Sequence, residues 1–404
     1  MTGLATAQIL LAVTGGVAAY RAADLASQLV QAGAKVDTIL TEGAARFIQP
    51  LTFAALTRRP VHTDLFAPWS GDALGHISLA RDAEVMLVAP ASANAIARLS
   101  LGLASDLLGA VALSTSAPLI VAPAMEHGMF HHPATQSHLQ TLRDRGATVV
   151  GPAHGRLASG AIGDGRLVPI GELINVVRQV LGRDGPLAGI RIVLTAGGTR
   201  EALDPVRYLG NRSSGKMGYA LARAAIDLGA TVHLITGPVN LAAPAGVELT
   251  EVESAAEMHQ AVRDAVQSAD ALIMAAAVAD FRPRHRQTQK IKKRSGSDTL
   301  TLELERNPDI LASISQAGLI KVGFGAETED LLANAEKKLT AKTLDMIVAN
   351  DATATIGSGV STAIILRPGR PPESLPEMTK EALAQHILQH VAEIVTRNKS
   401  GATR

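Results

Sequence analysis

Two stretches of this chain share one plan: an apolar run gives way to a glycine-rich turn or loop and then to a helix-forming segment. That plan restricts the fold more than any other feature. The more pronounced case is Thr195–Ala222, TAGGTREALDPVRYLGNRSSGKMGYALA. It follows the strand-like run Ile190–Leu194 and enters a predicted helix at Gly218–Leu228. Glycines 197, 198, 210, 215 and 218 permit tight turns and close approach of backbone to a ligand. Arg207, Arg212 and Lys216 add cationic donors. Strand, polar glycine-rich loop and helix N-terminus together suit an anion, above all a phosphate. Gly210–Lys216 spells G-x-x-x-x-G-K, but Met217 stands where a P-loop needs Ser or Thr for magnesium, which argues against a P-loop NTPase. The plain alternative is a long structural loop with solvated charges.

The second case opens the chain. QILLAVT, then GGVAAYRAADLASQLVQAG, then KVDTIL read strand, helix, strand over residues 8–40, with Gly33 ending the helix. This is the βαβ start of a doubly wound α/β sheet. TGGVAA is not G-x-G-x-x-G, so a nicotinamide and a flavin phosphate both stay open. Gly182–Gly189, GRDGPLAG, is the clearest boundary. Residues 1–189 and 190–404 therefore read as two Rossmann-like doubly wound domains, a number that 404 residues suit. Asp82-Ala83-Glu84-Val85-Met86 and Asp270-Ala271-Leu272-Ile273-Met274 echo one another, each leading an apolar strand into a small-residue loop.

A net charge of +1 gives no global basic field, so nucleic acid is not an expected partner. Arg282–Arg294 is the one strongly basic run and has no interleaved aromatic. No apolar stretch reaches about 18 residues, so no membrane span is expected. The apolar start Ile9–Val13 lacks a basic flank and reads as a strand, not a signal peptide. The chain has no cysteine, which excludes disulfides and thiolate metal sites. A cytoplasmic enzyme is expected.

GGTREALDPVRY followed by NRSSGKMG resembles the ligase half of the bacterial bifunctional coenzyme A biosynthesis family. That family joins a phosphopantothenoylcysteine decarboxylase to a phosphopantothenate–cysteine ligase. The resemblance implies that residues 1–189 are a flavodoxin-like flavoprotein of the homo-oligomeric, flavin-containing cysteine decarboxylase type. FMN would lie on Gly15, Gly16, Val17 and Thr41, with Ser92 and Asn94 in the loop after strand Val85–Ala89, and Met125. His76, in Gly-His-Ile-Ser, matches the catalytic histidine, and imidazole is suited to take a proton near neutrality. Glu126 stands where the family's Pro-Ala-Met-Asn has the Asn that helps to hold the substrate carboxylate. An ionised Glu would repel that carboxylate, and a protonated one would donate to it. Residues 154–168, HGRLASGAIGDGRLV, resemble the segment closing over the substrate. Ser159 stands there in place of the cysteine that donates a proton in many members, and serine is a far weaker acid; Asp164 or His154 are alternatives. His127, His131 and His132 have spacing that suits a metal but no matching acids nearby in sequence.

For residues 190–404 the resemblance implies a CTP site. It would comprise Met274, Ala275, Ala276 and Asp280, the lid lysine Lys290 of KIKK, Pro308, Asp309, Ile310 and Leu311 of NPDIL, Phe324 of VGFGAET, and Lys338 and Lys342 at i, i+4 on one helix. Asp280 would also hold Mg²⁺. Asn211 and Arg207 would hold an acyl-cytidylate made from 4′-phosphopantothenate and CTP, which the amine of cysteine then opens. The product, 4′-phosphopantothenoylcysteine, would be decarboxylated by the FMN half. The family further implies a homo-oligomer, with a trimer-based N-terminal assembly and ligase dimers. Two alternatives remain: a working ligase whose flavin domain is structural or regulatory, and an unrelated nicotinamide-dependent oxidoreductase.

Overall fold

A computed structural model of the chain describes residues 3–66, 75–244, 246–292, 299–327, 330–351 and 359–401. It divides into two compact units, Met1–Arg183 and Asp184–Arg404.

In the first unit, β1 (Gln8–Val13) passes through a glycine turn into α1 (Ala19–Gln31). There follow β2 (Lys35–Leu40), α2 (Glu42–Ala45), α3 (Pro50–Thr57), β3 (Val61–His62), α4 (Gly75–Asp82), β4 (Val85–Ala91), α5 (Ala93–Leu101) and α6 (Leu107–Ser114). β5 (Leu119–Pro123), α7 (His127–His131), α8 (Pro133–Asp144) and β6 (Thr148–Val149) complete a parallel sheet of order β3-β2-β1-β4-β5-β6. A separate hairpin, β7 (Ala153–Arg156) and β8 (Ile162–Arg166), and the helix α9 (Ile170–Gly182) follow. The strands are continuous apolar runs because both sheet faces are covered. Alternate residues of β1 serve opposite faces. Ile9, Leu11 and Val13 pack with Leu25 and Leu29 of α1 and Leu173 of α9. Leu10 and Ala12 pack with Ile96 of α5 and Leu139 of α8. Truncating a fully buried leucine such as Leu25 to alanine costs about 2–5 kcal/mol.

The second unit repeats the design. Its elements begin with β9 (Arg191–Ala196), the hairpin strands β10 (Arg200–Ala202) and β11 (Tyr208–Gly210), α10 (Lys216–Asp227), β12 (Thr231–Thr236), β13 (Glu248–Glu251) and α11 (Ala255–Val266). They continue with β14 (Ala271–Met274), the hairpin strands β15 (Phe281–Pro283) and β16 (Leu304–Arg306), α12 (Ile310–Ser313), β17 (Ile320–Glu327), α13 (Leu331–Ala341) and β18 (Met346–Asp351). The unit closes with β19 (Val360–Leu366), β20 (Glu373–Thr379) and a C-terminal helix, Lys380–Gly401. The main sheet runs β13-β12-β9-β14-β17-β18-β19-β20, parallel as far as β18 and antiparallel at its last two pairs. Ile192 and Leu194 pack toward α10 and the C-terminal helix. Val193 packs toward Met258 and Val262 of α11.

Three boundaries differ from expectation. β4 runs through Pro90 to Ala91, and its register against β5 shifts between Val88 and Ala91, an irregularity of the kind that lets a strand carry proline. α10 begins at Lys216, because Gly215 takes a left-handed conformation at the N-cap. The C-terminal helix extends beyond the apolar period Leu383–Val395 in both directions, through helix-compatible polar residues. No helix among the described residues is long and apolar enough to cross a membrane.

In each sheet the strand order reverses once beside the first strand of its unit, between β1 and β4 and between β9 and β14. The crevice at the carboxyl ends of those strands is where open α/β sheets bind ligands.

Candidate functional site

At the first reversal, the turns after β1 and β2 are pressed together. A Cβ on Gly15 would lie 2.9 Å from the Gly43 carbonyl carbon, so backbone meets backbone there and only glycine fits. Gly16 faces open space, and Val17 at the turn is 58% exposed. Thr41 caps α2, its hydroxyl accepting from Ala44 N–H. The turn after β1 is tied to the loop after β4 by Thr14. Its hydroxyl donates to the Pro90 carbonyl at 2.7 Å and accepts from Ser92 N–H at 2.8 Å. Ser92 in turn caps α5, and Asn94 is exposed in that helix's first turn. Gly15, Gly16, Val17, Thr41, Ser92 and Asn94 are thus carried by three neighbouring strand-exit loops.

Met125 and Glu126 follow β5. Met125 N–H donates to the Gly165 carbonyl at 2.9 Å, so the β7–β8 hairpin lies directly against this loop. A Cβ on Gly163 would approach His127 Nδ1 to 2.7 Å. Glu126 is exposed at the N-cap of α7, and Ser159 is exposed in the hairpin turn. His76 sits half-buried in the first turn of α4. The hairpin also brings an acid to the histidines. His131 Nε2 and His154 Nδ1 each lie 3.0 Å from an Asp164 oxygen, and Asp164 N–H donates to His127 Nδ1 at 3.1 Å. Hydrogen bonds from His154 and then His131 hold the Asp164 carboxyl below its usual range. Asp164 is therefore a carboxylate near neutrality, which argues against it as a proton donor. His132 is not part of the cluster; its Nδ1 caps α8 by accepting from Ala134 N–H.

At the second reversal, Thr195 and Thr199 do for the loop after β14 what Thr14 does in the first unit. Thr195 Oγ1 donates to Met274 Sδ and accepts from Ala276 N–H at 3.1 Å, and Thr199 Oγ1 accepts from Ala279 N–H at 2.9 Å. Asn211 Nδ2 donates to the Val278 carbonyl at 2.9 Å. Helix α10 starts hard against β9: a Cβ on Gly218 would lie 2.5 Å from the Ala196 Cβ. Met274, Ala275, Ala276 and Asn211 therefore share one loop cluster, with exposed Asp280 at its far end. The Asp280 carbonyl accepts from Asn307 N–H at 2.8 Å, which brings in the segment carrying Pro308 to Leu311. Asp309 caps α12 and pairs with Lys342 Nζ at 2.7 Å. Lys342 is not on the body of α13 with Lys338; it occupies the C-cap, where the chain leaves the helix. Phe324 is partly buried and packs against the core.

Arg207 and the root of the basic run meet around Asp204, which is 2% exposed. Its carboxylate accepts from Val206 N–H, Arg207 N–H, the Arg207 guanidinium at 2.6 Å and Ile291 N–H at 3.0 Å. Burial pushes the carboxyl upward, but these donors outweigh it and hold it far below the usual range. Arg207 also donates to the Ile291 carbonyl at 2.6 Å. Lys290, next to Ile291, is exposed. The run is not a uniform lid: Arg282 pairs with Glu305 at 2.8 Å and Arg284 approaches Glu303 at 4.0 Å across the β15–β16 hairpin. Lys293 and Arg294, like Thr328 of VGFGAET, lie outside the described residues.

Residues 2–182 match the family model described as flavoprotein, and residues 187–395 match that of the DNA/pantothenate metabolism flavoprotein C-terminal domain. The coenzyme A biosynthesis bifunctional protein CoaBC of Vibrio cholerae is 45% identical over 399 residues, covering 97% of this chain and 100% of that protein. This chain belongs to the CoaBC family. The CoaBC protein of Bacillus subtilis is 45% identical over 393 residues, covering 95% of this chain and 96% of its own. Among solved structures, the C-terminal domain of a CoaBC protein is 39% identical, covers 53% of this chain and 99% of its own, and has a TM-score of 0.46.

Several residues that organise these CoaBC loops gave no separate signal in the sequence. Gly43 matters as the backbone against which Gly15 is pressed, a contact between positions 28 residues apart. Asp204 is visible in sequence as Asp-Pro, a turn signal, but its bond to Ile291 spans 87 positions. Lys321 is 8% exposed and looks like an ordinary strand lysine. Its ammonium donates to the Ile314 and Lys342 carbonyls and to Thr343 Oγ1, which fixes the end of α13 and hence Lys342.

Proposed function

We propose that the C-terminal unit joins cysteine to 4′-phosphopantothenate at the expense of CTP, and that the N-terminal unit decarboxylates the product with FMN. The observation that carries this reading is identity of 45% along essentially the whole of a bifunctional CoaBC protein. The placement of the family's loop residues around both sheet reversals supports it.

In the ligase step, the carboxylate of 4′-phosphopantothenate attacks the α-phosphorus of CTP and pyrophosphate leaves. The amine of cysteine then attacks the acyl carbon of the acyl-cytidylate, and CMP leaves. The chain's contribution is charge and position. The glycine loop and the α10 N-terminus, which has no side-chain cap, present backbone N–H groups to phosphate. Asp204 and Arg207 grip both polar groups of Ile291, so Lys290 is carried on a fixed root and can meet the phosphates as they gain charge. Asn211 is oriented by its bond to Val278. Lys342, freed from Asp309 or shared with it, faces the nucleotide. The single exposed carboxylate of Asp280 fits Mg²⁺, which takes one or two protein oxygens and completes its shell with water and phosphates.

The N-terminal reversal fits FMN. Its two glycine turns make a groove open at Gly16, the α1 N-terminus has no side-chain cap, and exposed Val17 offers an apolar face. When bound, FMN supplies reversible two-electron acceptance, which lets the carboxylate of a cysteinyl group leave as CO₂. His76 would take a proton from the substrate, and the His154–Asp164–His131 cluster holds imidazole protons beside the loop of Glu126. One assay with phosphopantothenate, cysteine, CTP and Mg²⁺, scoring pyrophosphate and CO₂ separately, tests both halves. Glu126 and Ser159 favour a second reading, a working ligase with a structural flavin domain; pyrophosphate without CO₂ selects it.

A further inference from the structure

A second cluster of ligand-type side chains lies on the antiparallel edge of the C-terminal sheet, apart from every residue placed at the nucleotide loops. His386 and His390 are i, i+4 on the C-terminal helix, which sets both rings on one face. Glu373 opens the edge strand β20 beside them. His386 Nε2 lies 2.8 Å from Glu373 Oε1, and His390 Nε2 lies 2.9 Å from Glu373 Oε2. The three ligand atoms are all within 4.8 Å of one another.

His390 is the informative member. It is 8% exposed, and its Nε2 meets no solvent. That nitrogen lies in ion-pair distance of Glu373 but makes no hydrogen bond among the described residues. The other ring nitrogen, Nδ1, lies 3.4 Å from Glu393 Oε2. With the proton on Nδ1 toward Glu393, Nε2 carries a lone pair, the form in which imidazole binds a metal. A lone pair and a carboxylate oxygen then face each other at 2.9 Å. A cation between them removes the repulsion. Glu393 is itself held by Arg367 at 2.8 Å, so the chain carboxylate–imidazole–centre repeats the outer-shell support of metal-bound histidines. Arg367 also approaches Glu373 to 4.0 Å, and the cluster with both histidines neutral still carries one net negative charge.

We propose that Glu373, His386 and His390 form a three-ligand site for a zinc ion that fastens the C-terminal helix to the edge of the sheet. Two imidazoles and one carboxylate with an open fourth position is a donor set that zinc takes. Tetrahedral ligands at about 2.0–2.1 Å from zinc lie about 3.3 Å apart, so the two short contacts need only small outward rotations. A metal that binds only the folded arrangement raises stability by mass action.

The test uses the full chain after treatment with a chelator. Co²⁺ is added as a spectroscopic probe, and Zn²⁺ is added during thermal unfolding. One equivalent of Co²⁺ is expected to give the visible absorption of a tetrahedral site, and Zn²⁺ to raise the unfolding midpoint. Glu373→Gln and His386→Gln, both at partly exposed positions, are expected to weaken binding more than about tenfold and to abolish the midpoint shift. His131→Gln, in the other histidine–aspartate cluster, is expected to leave both signals unchanged. Absence of the band in the parent protein, its survival in both Glu373→Gln and His386→Gln, or its loss in His131→Gln overturns the assignment. An imidazolium at His390, the alternative relief of the contact, gives no band at all.

Discussion

Replacing Thr14 with valine isolates the clamp that joins the two central loops of the flavoprotein unit. Thr14 is 2% exposed, and its hydroxyl makes one bond to the Pro90 carbonyl and receives one from Ser92 N–H. Valine has nearly the same shape, so Thr14→Val opens no cavity. The Pro90 carbonyl keeps the Thr14 N–H at 3.3 Å. Ser92 N–H, half-buried, is left facing a methyl group, and orphaning such a donor costs about 1–3 kcal/mol. Taking about 2 kcal/mol, and roughly 2–4 °C per kcal/mol for a unit of this size, the midpoint should fall by about 4–8 °C. Because Ser92 leads the cap of α5 beside the proposed flavin groove, the variant should also retain less flavin after gel filtration. Thermal unfolding followed by flavin fluorescence, with visible absorbance for occupancy, reads both. Thr14→Ser keeps the hydroxyl and should retain flavin. A Thr14→Val protein with parental midpoint and flavin content, or a Thr14→Ser protein that loses flavin equally, refutes the hydrogen-bond account.

Lys290→Ala should lower ligase turnover at least about tenfold while flavin content stays unchanged, measured by pyrophosphate release and visible absorbance. His76→Ala should abolish CO₂ release and spare pyrophosphate release; loss of both would indicate a folding defect instead. Asp309 gives a pH prediction. Burial raises its carboxyl, but Lys342 at 2.7 Å and Ala312 N–H lower it more, so the folded value lies below the unfolded one. The pair therefore contributes stability above the unfolded value, about 3.9, and loses it as pH falls through the lower folded value. Asp309→Asn should flatten that part of the acid unfolding curve, and an unchanged curve would contradict the assignment.

The doubly wound plan was readable because strands covered on both faces are continuous apolar runs, ILLAV and ALIM among them, and because a glycine pair follows β1 after Thr14 and β9 at once. The loop residues at the two reversals were named through the family resemblance; continuous apolar runs mark where a strand ends but not which exit residues meet a ligand. What could not be read depends on partners far along the chain. The arginines of Arg282–Arg294 looked like one lid until Glu303 and Glu305 arrived from the paired strand. Asp164 was absent from the histidine cluster in sequence because the β7–β8 hairpin delivers it. Lys342 was assigned to the face of a helix that stops one residue earlier, a boundary set by the carbonyl it gives to buried Lys321.

The proposed ligase chemistry requires a carboxylate to be activated by transfer to a nucleotide, and oxygen labelling follows that transfer atom by atom. The full-length protein is given 4′-phosphopantothenate labelled with ¹⁸O in its carboxylate, together with CTP, Mg²⁺ and cysteine, and the released nucleotide is analysed by mass spectrometry. CMP should carry one ¹⁸O, since the bridging oxygen leaves with the phosphate. Unlabelled CMP, or CDP with inorganic phosphate in its place, would contradict it.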